Sequence, residues 1–230
     1  MRELPGAGAV EVWLTGVPGG AAGAASEAYG ILDEEERRRV GEFVTTGGRD
    51  RYVWAHVVLR RVLASYTGVA PAELRFGREG RYGRPVLRDA GAPVGFSLSH
   101  SHGLVAVAVA AGAVGVDVQR ECPPGTVEAC LARLHPRERA ELERLGPSRR
   151  AVEFTRLWAR KEAYLKGLGT GLGRPPRADY LGDGEPAARP AGWGVGAVAA
   201  QAGYAAAVAV PVPAGGTWSV RTVDSVGVVG

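Results

Sequence analysis

Apolar residues recur along the chain with periods that predict a mixture of strands and helices. Apolar runs predict strands at residues 10–14, 104–110 and 114–118. Over residues 50–66 the apolar positions instead recur every four residues, which is typical of a helix with one buried stripe. Residues 77–85 are rich in glycine and predict a turn.

The second half of the chain repeats this order of elements. His135-Pro136 predicts the start of a short helix, residues 150–168 predict a long helix, and strands are expected near residues 193–200, 204–210 and 218–223. In the first half the corresponding short helix starts with Asp33 as N-cap and Glu36 as its capping-box partner. The segments match at an offset of about one hundred residues, which indicates an internal duplication.

These repeats predict an α+β fold with pseudo-twofold duplication. Residues 1–112 and 113–230 would form two similar α/β halves, each a small, mostly antiparallel sheet packed by a long helix. Clefts between packed halves are common ligand sites, so we expect the active site between the two.

Composition narrows the class of protein without naming a function. The chain has 230 residues, 46% apolar and 23% charged, which is typical of a globular protein and argues against disorder. The net charge of +4 favours anionic ligands but falls short of a nucleic-acid signature. The chain has neither an apolar run long enough to span a bilayer nor a signal-peptide core. Cys122 and Cys130 have no metal-ligand partner nearby, so we expect a cytoplasmic protein.

An acidic residue interrupts the otherwise apolar segment Gly115-Val116-Asp117-Val118-Gln119. A buried carboxylate is costly unless it is paired or bound to a cation. Asp117 is therefore either a structural residue, capping a turn or pairing with an arginine, or a ligand for a cation.

The helix predicted over residues 150–168 carries a second charged pair. Glu162 and Lys166 are four residues apart and share one helix face, and Trp158 lies one turn before Glu162. An exposed ion pair is the simplest interpretation, but the tryptophan indicates that this face is partly covered. A half-buried carboxylate beside an ammonium suits a metal ion and a phosphate.

Residues 95–102 predict a turn rich in hydroxyl and imidazole groups, which supplies hydrogen-bond donors for a phosphate. A serine hydrolase using Ser99 and His100 is disfavoured, because adjacent residues of a strand point to opposite faces. We interpret His56 and His102 as surface histidines without a function.

In this order, these segments resemble one enzyme family. Gly115-Val116-Asp117, followed by Trp158-x-x-Lys161-Glu162-Ala163-x-x-Lys166, resembles the signature of the 4′-phosphopantetheinyl transferases. Phe96-x-Leu98-Ser99-His100-Ser101 and Gly83-Arg84-Pro85 are further matches. The resemblance covers about residues 30–210, and the length and duplication fit the Sfp-type branch, in which one monomer contains two similar halves.

The resemblance implies a reaction and roles for the matching residues. Such enzymes transfer the 4′-phosphopantetheine arm of coenzyme A to a serine of an apo acyl, peptidyl or aryl carrier protein, releasing adenosine 3′,5′-bisphosphate. Asp117 and Glu162 would hold Mg²⁺, for which Mn²⁺ can substitute. Glu162 would also act as general base, and Lys166 would contact the phosphates.

The resemblance further implies a coenzyme A site, mostly in the first half of the chain. The residues expected to bind the coenzyme are Arg39, Arg51, Gly83, Arg84, Pro85, Ser99, His100 and Lys161. Within this set, Ser99, His100 and Lys161 would meet phosphates and residues 83–85 the adenine. Arg51 would meet the 3′-phosphate, with Arg39 as second candidate. We interpret Arg37 and Arg38 as a solvated helix face.

The sequence departs from the family pattern at Gln119, where many Sfp-type sequences have a second acid. An amide is a weaker ligand, so Gln119 would assist the metal through a water. Two alternatives stay open: a non-catalytic coenzyme A or carrier-protein-binding module, which only Gln119 favours, and a metal-dependent phosphohydrolase.

The partners follow from the same resemblance. We expect an apo carrier protein, with polyketide and nonribosomal-peptide carriers favoured by the high-GC type of composition. We expect no nucleic-acid or membrane partner. A monomer would suffice, because a tandem repeat supplies both sides of the cleft.

Overall fold

The computed structural model describes residues 1–17, 25–88 and 93–223. Within these ranges the strands are β1 (Ala9–Gly16), β2 (Arg75–Glu79), β3 (Arg84–Arg88), β4 (Gly95–Ser101), β5 (Leu104–Ala110), β6 (Gly115–Arg120), β7 (Trp193–Val198), β8 (Tyr204–Pro211) and β9 (Ser219–Val223). The α-helices are α1 (Ala25–Ile31), α2 (Glu34–Gly41), α3 (Thr46–Thr67), α4 (Pro124–Cys130), α5 (Pro136–Glu143) and α6 (Pro147–Leu168). The α+β class expected from the sequence is confirmed.

Two sheets form the centre of the molecule. The first has strand order β4-β5-β1-β9, and the second has the order β6-β8-β7. Neighbours within each sheet are antiparallel, except for the parallel pair of β1 and β9. Strands β2 and β3 form a separate antiparallel hairpin.

Alternation along the strands produces four layers. In β5 the even-numbered residues, such as Ala106 and Ala108, pack against the second sheet, while Val105 and Val107 pack under α3. In β8, Val208 faces the first sheet and its neighbours face α6. The order of layers is therefore α3, first sheet, second sheet, α6. Small alanine and valine side chains allow the two sheets to approach closely.

Local sequence signals define the helix ends. Asp33 and Glu36 form the predicted capping box of α2, and α5 begins at Pro136. Helices α3 and α6 end at Gly68 and Gly169, both left-handed, where glycine carries no steric penalty. Both helices begin about four residues before their predicted starts.

The structure differs from the sequence pattern in three places. Residues 95–101 form the strand β4 rather than a turn. The turn predicted over residues 77–85 is confined to residues 80–83, between the hairpin strands β2 and β3. The strand predicted near 218–223 does not join the second half, because β9 pairs with β1 in the first sheet. The predicted second half, residues 113–230, also includes residues 224–230, which lie outside the described residues. The sequence pattern did not predict α1 and α4.

The two halves share a short capped helix followed by a helix of 22 residues. The duplication itself stays a prediction. None of the helices in the three described ranges is long and apolar enough to cross a membrane.

Candidate active site

A cavity of about 830 Å³ is lined by residues from both sides of the predicted boundary at residues 112–113. Its first wall comes from α2, α3 and the β2–β3 hairpin, and β4 contributes Phe96 and Leu98. Val114, Lys166 and Gly169 line the opposite side. Its volume lies in the range that accommodates a nucleotide-sized ligand.

Two glycines bring α6 unusually close to β6. A Cβ atom at Gly115 would lie 1.9 Å from the carbonyl oxygen of Ala163, and one at Gly167 would lie 2.7 Å from the Trp193 ring. Only glycine fits at such distances. This close packing carries the charged face of α6 up to the acidic residue of β6.

Asp117 is buried, with 2% of its surface exposed, and three side chains hold its carboxylate. Lys166 Nζ lies 2.7 Å from Oδ1, which also accepts a hydrogen bond of 2.8 Å from Ser99 Oγ. Gln119 Nε2 donates to Oδ2 at 2.8 Å. The predicted pairing with an arginine is therefore replaced by pairing with the lysine of α6.

Glu162 is half-buried one helical turn before Lys166. Among the described residues it has no hydrogen-bond or ion-pair partner. Desolvation, followed by repulsion from Asp117, raises the pKa of Glu162, while Lys166 opposes the shift. The carboxylate is therefore available to a cation or a proton.

Positive charge gathers around His100 on β4. Desolvation by the surrounding protein, followed by the nearby groups of His56, Lys166 and Arg51, lowers the pKa of His100, and Asp117 opposes the shift. Arg51 lies on the first turns of α3 and does not line the cavity. The structure thus brings His100, Arg51 and Lys166 into one electrostatic neighbourhood that suits an anion.

The predicted adenine-binding segment lies on the β2–β3 hairpin. Gly83, Arg84 and Pro85 all line the cavity, as does Arg39 of α2. Arg84 also crosses to the other half, where a Cβ atom at Gly169 would meet its side chain at 3.2 Å. Arg38, expected on a solvated face, lines the cavity too, although its side chain is 66% exposed and paired with Glu42.

Lys161 does not line this cavity, and its surroundings do not support the predicted phosphate contact. Its side chain is 2% exposed and lies 2.7 Å from Glu138, which is fully buried. The ammonium also donates to the carbonyl oxygens of Pro176 and Asp179, each at 2.8 Å. These three acceptors use its three protons, which leaves none for a ligand.

Ser99 is 7% exposed, and its hydroxyl is also committed within the protein. It donates to Asp117 and accepts the backbone N–H of Val118 at 3.2 Å. The predicted contact with a phosphate is therefore not found.

His56 is a cavity residue that the sequence pattern did not reveal. Its Nδ1 lies 2.7 Å from Glu36, and its ring stacks on Tyr52 at 4.1 Å between centroids. Both Tyr52 and His56 line the cavity. Their spacing of four residues on α3 places them on one face, which is the only signal the sequence offered.

The acidic pair fits a hard divalent cation. Among the described residues, no group of three or more histidine, cysteine and acidic side chains is arranged so that it could hold a metal ion. Mg²⁺ typically binds one or two carboxylates, several waters and substrate phosphates. Asp117 and the unpaired Glu162 supply such a donor set, and Lys166 already marks the position as one that holds positive charge.

Comparison with known proteins agrees with this arrangement. Residues 113–192, which include Asp117, Glu162 and Lys166, match the model of the 4′-phosphopantetheinyl transferase superfamily. The chain is 35% identical over 147 residues to 4′-phosphopantetheinyl transferase HetI of Nostoc sp., and the match covers 62% of each chain.

Two other relatives carry similar names. The chain is 36% identical to a phosphopantetheinyl transferase of Thraustochytrium sp., over 72% of this chain and 62% of that protein. It is 24% identical to 4′-phosphopantetheinyl transferase Sfp of Bacillus subtilis, over 63% of each chain. The chain therefore spans a little under two thirds of the length of these relatives. The chain is thus similar to 4′-phosphopantetheinyl transferases, and its residues 113–192 match the model of that superfamily.

Proposed function

We propose that this protein transfers 4′-phosphopantetheine from coenzyme A to a serine hydroxyl of an apo carrier protein. The single observation that carries the proposal is the grouping of Asp117 and Glu162 around Lys166, which itself lines the cavity. The relatives named above are phosphopantetheinyl transferases, which supports the same reaction.

In the proposed reaction the serine oxygen bonds to the phosphorus that carries pantetheine, and the diphosphate P–O bond breaks. The electron pair leaves with adenosine 3′,5′-bisphosphate, and Glu162 takes the serine proton directly or through a water. The raised pKa of Glu162 supports this role, because a more basic carboxylate is a better proton acceptor near neutral pH. Lys166 steadies the developing charge on the phosphates.

The cavity would hold the nucleotide part of coenzyme A. Arg39, Arg84 and Lys166 line it and supply positive charge for the phosphates. His100 and Arg51 add to the same field, and we retain Arg51 as the candidate for the 3′-phosphate. Gly83 has a φ of 65°, which leaves the hairpin backbone open to close approach by a base.

Mg²⁺, or Mn²⁺ in its place, would be held by Asp117 and Glu162. When bound, the ion would neutralise charge on the diphosphate. Gln119 contacts Asp117 through its amide nitrogen, so this residue would support the ligand rather than replace it.

One chain supplies both walls of the cavity, which supports the proposal that a monomer is sufficient. The carrier would be an acyl, peptidyl or aryl carrier protein whose serine reaches Glu162. A cytoplasmic location is part of the same proposal.

The test is a mass measurement on a panel of apo carrier proteins incubated with coenzyme A, Mg²⁺ and the enzyme. We expect a carrier to gain one phosphopantetheine, and we expect Glu162→Gln and Asp117→Asn to abolish the gain with the fold intact by circular dichroism.

Two results would contradict the proposal. Coenzyme A binding without any mass gain across the panel would indicate a binding module. Coenzyme A cleavage without a carrier would indicate a phosphohydrolase.

A further inference from the structure

The two sheets meet edge to edge at β4 and β6, and side chains rather than backbone pairs join them. The hydroxyls of Ser97, Ser99 and Ser101, at alternate positions of β4, accept the backbone N–H groups of β6. The acceptor distances are 3.0, 3.2 and 3.0 Å, to the N–H groups of residues 116, 118 and 120 in order. We call these three residues the serine seam. It replaces the missing strand ladder and satisfies N–H groups that burial would otherwise leave costly.

Lys166 also links β4 and β6, through the backbone carbonyl groups of both strands. Its ammonium donates to Val116 O on β6 at 3.1 Å and lies 3.5 Å from Leu98 O on β4. The third contact of this ammonium is Asp117 Oδ1. The junction of the two halves and the acidic site are therefore one hydrogen-bond network.

Only the middle member of the seam touches the acidic site. The Ser99 hydroxyl oxygen accepts the N–H of Val118, and its proton is donated to Asp117 Oδ1. Because the N–H holds the oxygen in place, the hydroxyl proton has a fixed direction. Ser101 makes the same kind of bond to β6 but has no contact with Asp117.

We propose that Ser99 is a positioning residue that orients the Asp117 carboxylate for a divalent cation, while Ser101 only joins the sheets. The inference rests on the proposed metal-binding role of Asp117. Groups that hydrogen-bond a metal ligand fix its orientation, and their removal typically weakens metal affinity about 10–100-fold.

The test measures Mn²⁺ affinity by isothermal titration calorimetry on the protein without coenzyme A or carrier. Ser99→Ala is expected to weaken Mn²⁺ binding by about tenfold or more. Ser101→Ala is the control and should leave the Mn²⁺ affinity unchanged. Its bond to β6 is exposed whereas the bonds of Ser99 are buried, so Ser101→Ala should lose less thermal stability than Ser99→Ala. Ser99→Thr keeps the hydroxyl and should restore the affinity.

Asp117→Asn separates this inference from the proposed function. If Asp117→Asn binds Mn²⁺ as tightly as the wild type, the metal-binding role itself fails. If Asp117→Asn loses Mn²⁺ binding but Ser99→Ala does not, only the positioning role of Ser99 is overturned. Equal weakening by Ser101→Ala would also overturn it, because sheet docking alone would then explain the loss.

Ser99→Cys provides a second test if Ser99→Ala does not fold. It keeps nearly the same shape but offers only a weak donor. We expect it to fold and to bind Mn²⁺ more weakly than the wild type; wild-type affinity in this variant would count against the proposal.

Discussion

Substitution by methionine is expected to affect mainly protein stability at one lysine of α6, Lys161, and mainly coenzyme A binding at the other, Lys166. Lys161→Met keeps the aliphatic stem of the side chain and removes the charge together with the hydrogen bonds to two backbone carbonyls. It leaves Glu138, which is fully buried, without its cation at 2.7 Å. Breaking a buried ion pair in this way costs about 3–5 kcal/mol. For a chain of this length, each kcal/mol lowers Tm by about 2–4 °C, so we expect a fall of roughly 6–20 °C.

Lys166→Met is the matched control on the same helix. The Lys166 side chain is 30% exposed, and Asp117 keeps its hydrogen bonds from Ser99 and Gln119. Because Asp117 is buried but the lysine itself is partly exposed to water, we expect a loss of about 1–3 kcal/mol, smaller than that of Lys161→Met. Its effect should appear instead as weaker coenzyme A binding, because the lysine lines the cavity.

Urea unfolding followed by circular dichroism gives the stability of both variants, and calorimetry gives their affinity for coenzyme A. The reasoning is refuted if Lys161→Met has wild-type stability, or if the folded variant binds coenzyme A as poorly as Lys166→Met does.

A double-mutant cycle tests the cause of the loss. Glu138 also accepts hydrogen bonds from the backbone N–H of His135 and of Leu181, so Glu138→Gln keeps an acceptor for them and removes the charge. The double variant Lys161→Met/Glu138→Gln contains no unpaired charge. We expect it to be less destabilised than the sum of the single variants by about 1–3 kcal/mol, and strict additivity would contradict the ion-pair explanation.

Three further outcomes follow from the site. The surroundings hold the pKa of His100 below its ordinary value, and a bound phosphate would raise that pKa. Coenzyme A should therefore bind with proton uptake and more tightly as pH falls. Calorimetric titrations in two buffers of different ionisation enthalpy should show the proton uptake, and His100→Asn should remove it. Gln119→Glu places a carboxylate beside Asp117 and should lower the Mg²⁺ concentration needed for half-maximal transfer; an unchanged metal titration would argue against any metal-linked role at this position. Gly115→Ala should lower both Tm and transfer because its Cβ would lie 1.9 Å from a carbonyl oxygen of α6, whereas Gly112→Ala, where the Cβ meets nothing within 4 Å, should match the wild type in both assays.

Features set by a few neighbouring residues could be predicted from the sequence, and features set by distant partners could not. The capping box at Asp33 and the end of α6 at residue 168 are local, and both are confirmed. The pairing of β9 with β1 joins residues about two hundred positions apart, and an Ala/Val strand carries no mark of its neighbour. The serines of β4 break the apolar alternation, so the sequence pattern predicts a turn there. In the structure those serines face another strand edge and bond to its backbone, so their polarity is satisfied rather than solvated.

The position of Lys161 away from Lys166 follows from helix geometry that the sequence already contained. Each residue of an α-helix turns by about 100°, so positions 162 and 166 lie roughly 40° apart, while 161 and 166 lie roughly 140° apart. Glu162 and Lys166 can therefore face one cavity together, but Lys161 must point elsewhere when they do. The three charged residues are close together in the motif, but they lie on two sides of the helix. Glu162 and Lys166 share one side, and Lys161 lies on the other, where it binds Glu138 and the loop after α6. A charge in such a motif predicts chemistry at the site only when its angle about the helix axis agrees with that of the residues already placed there.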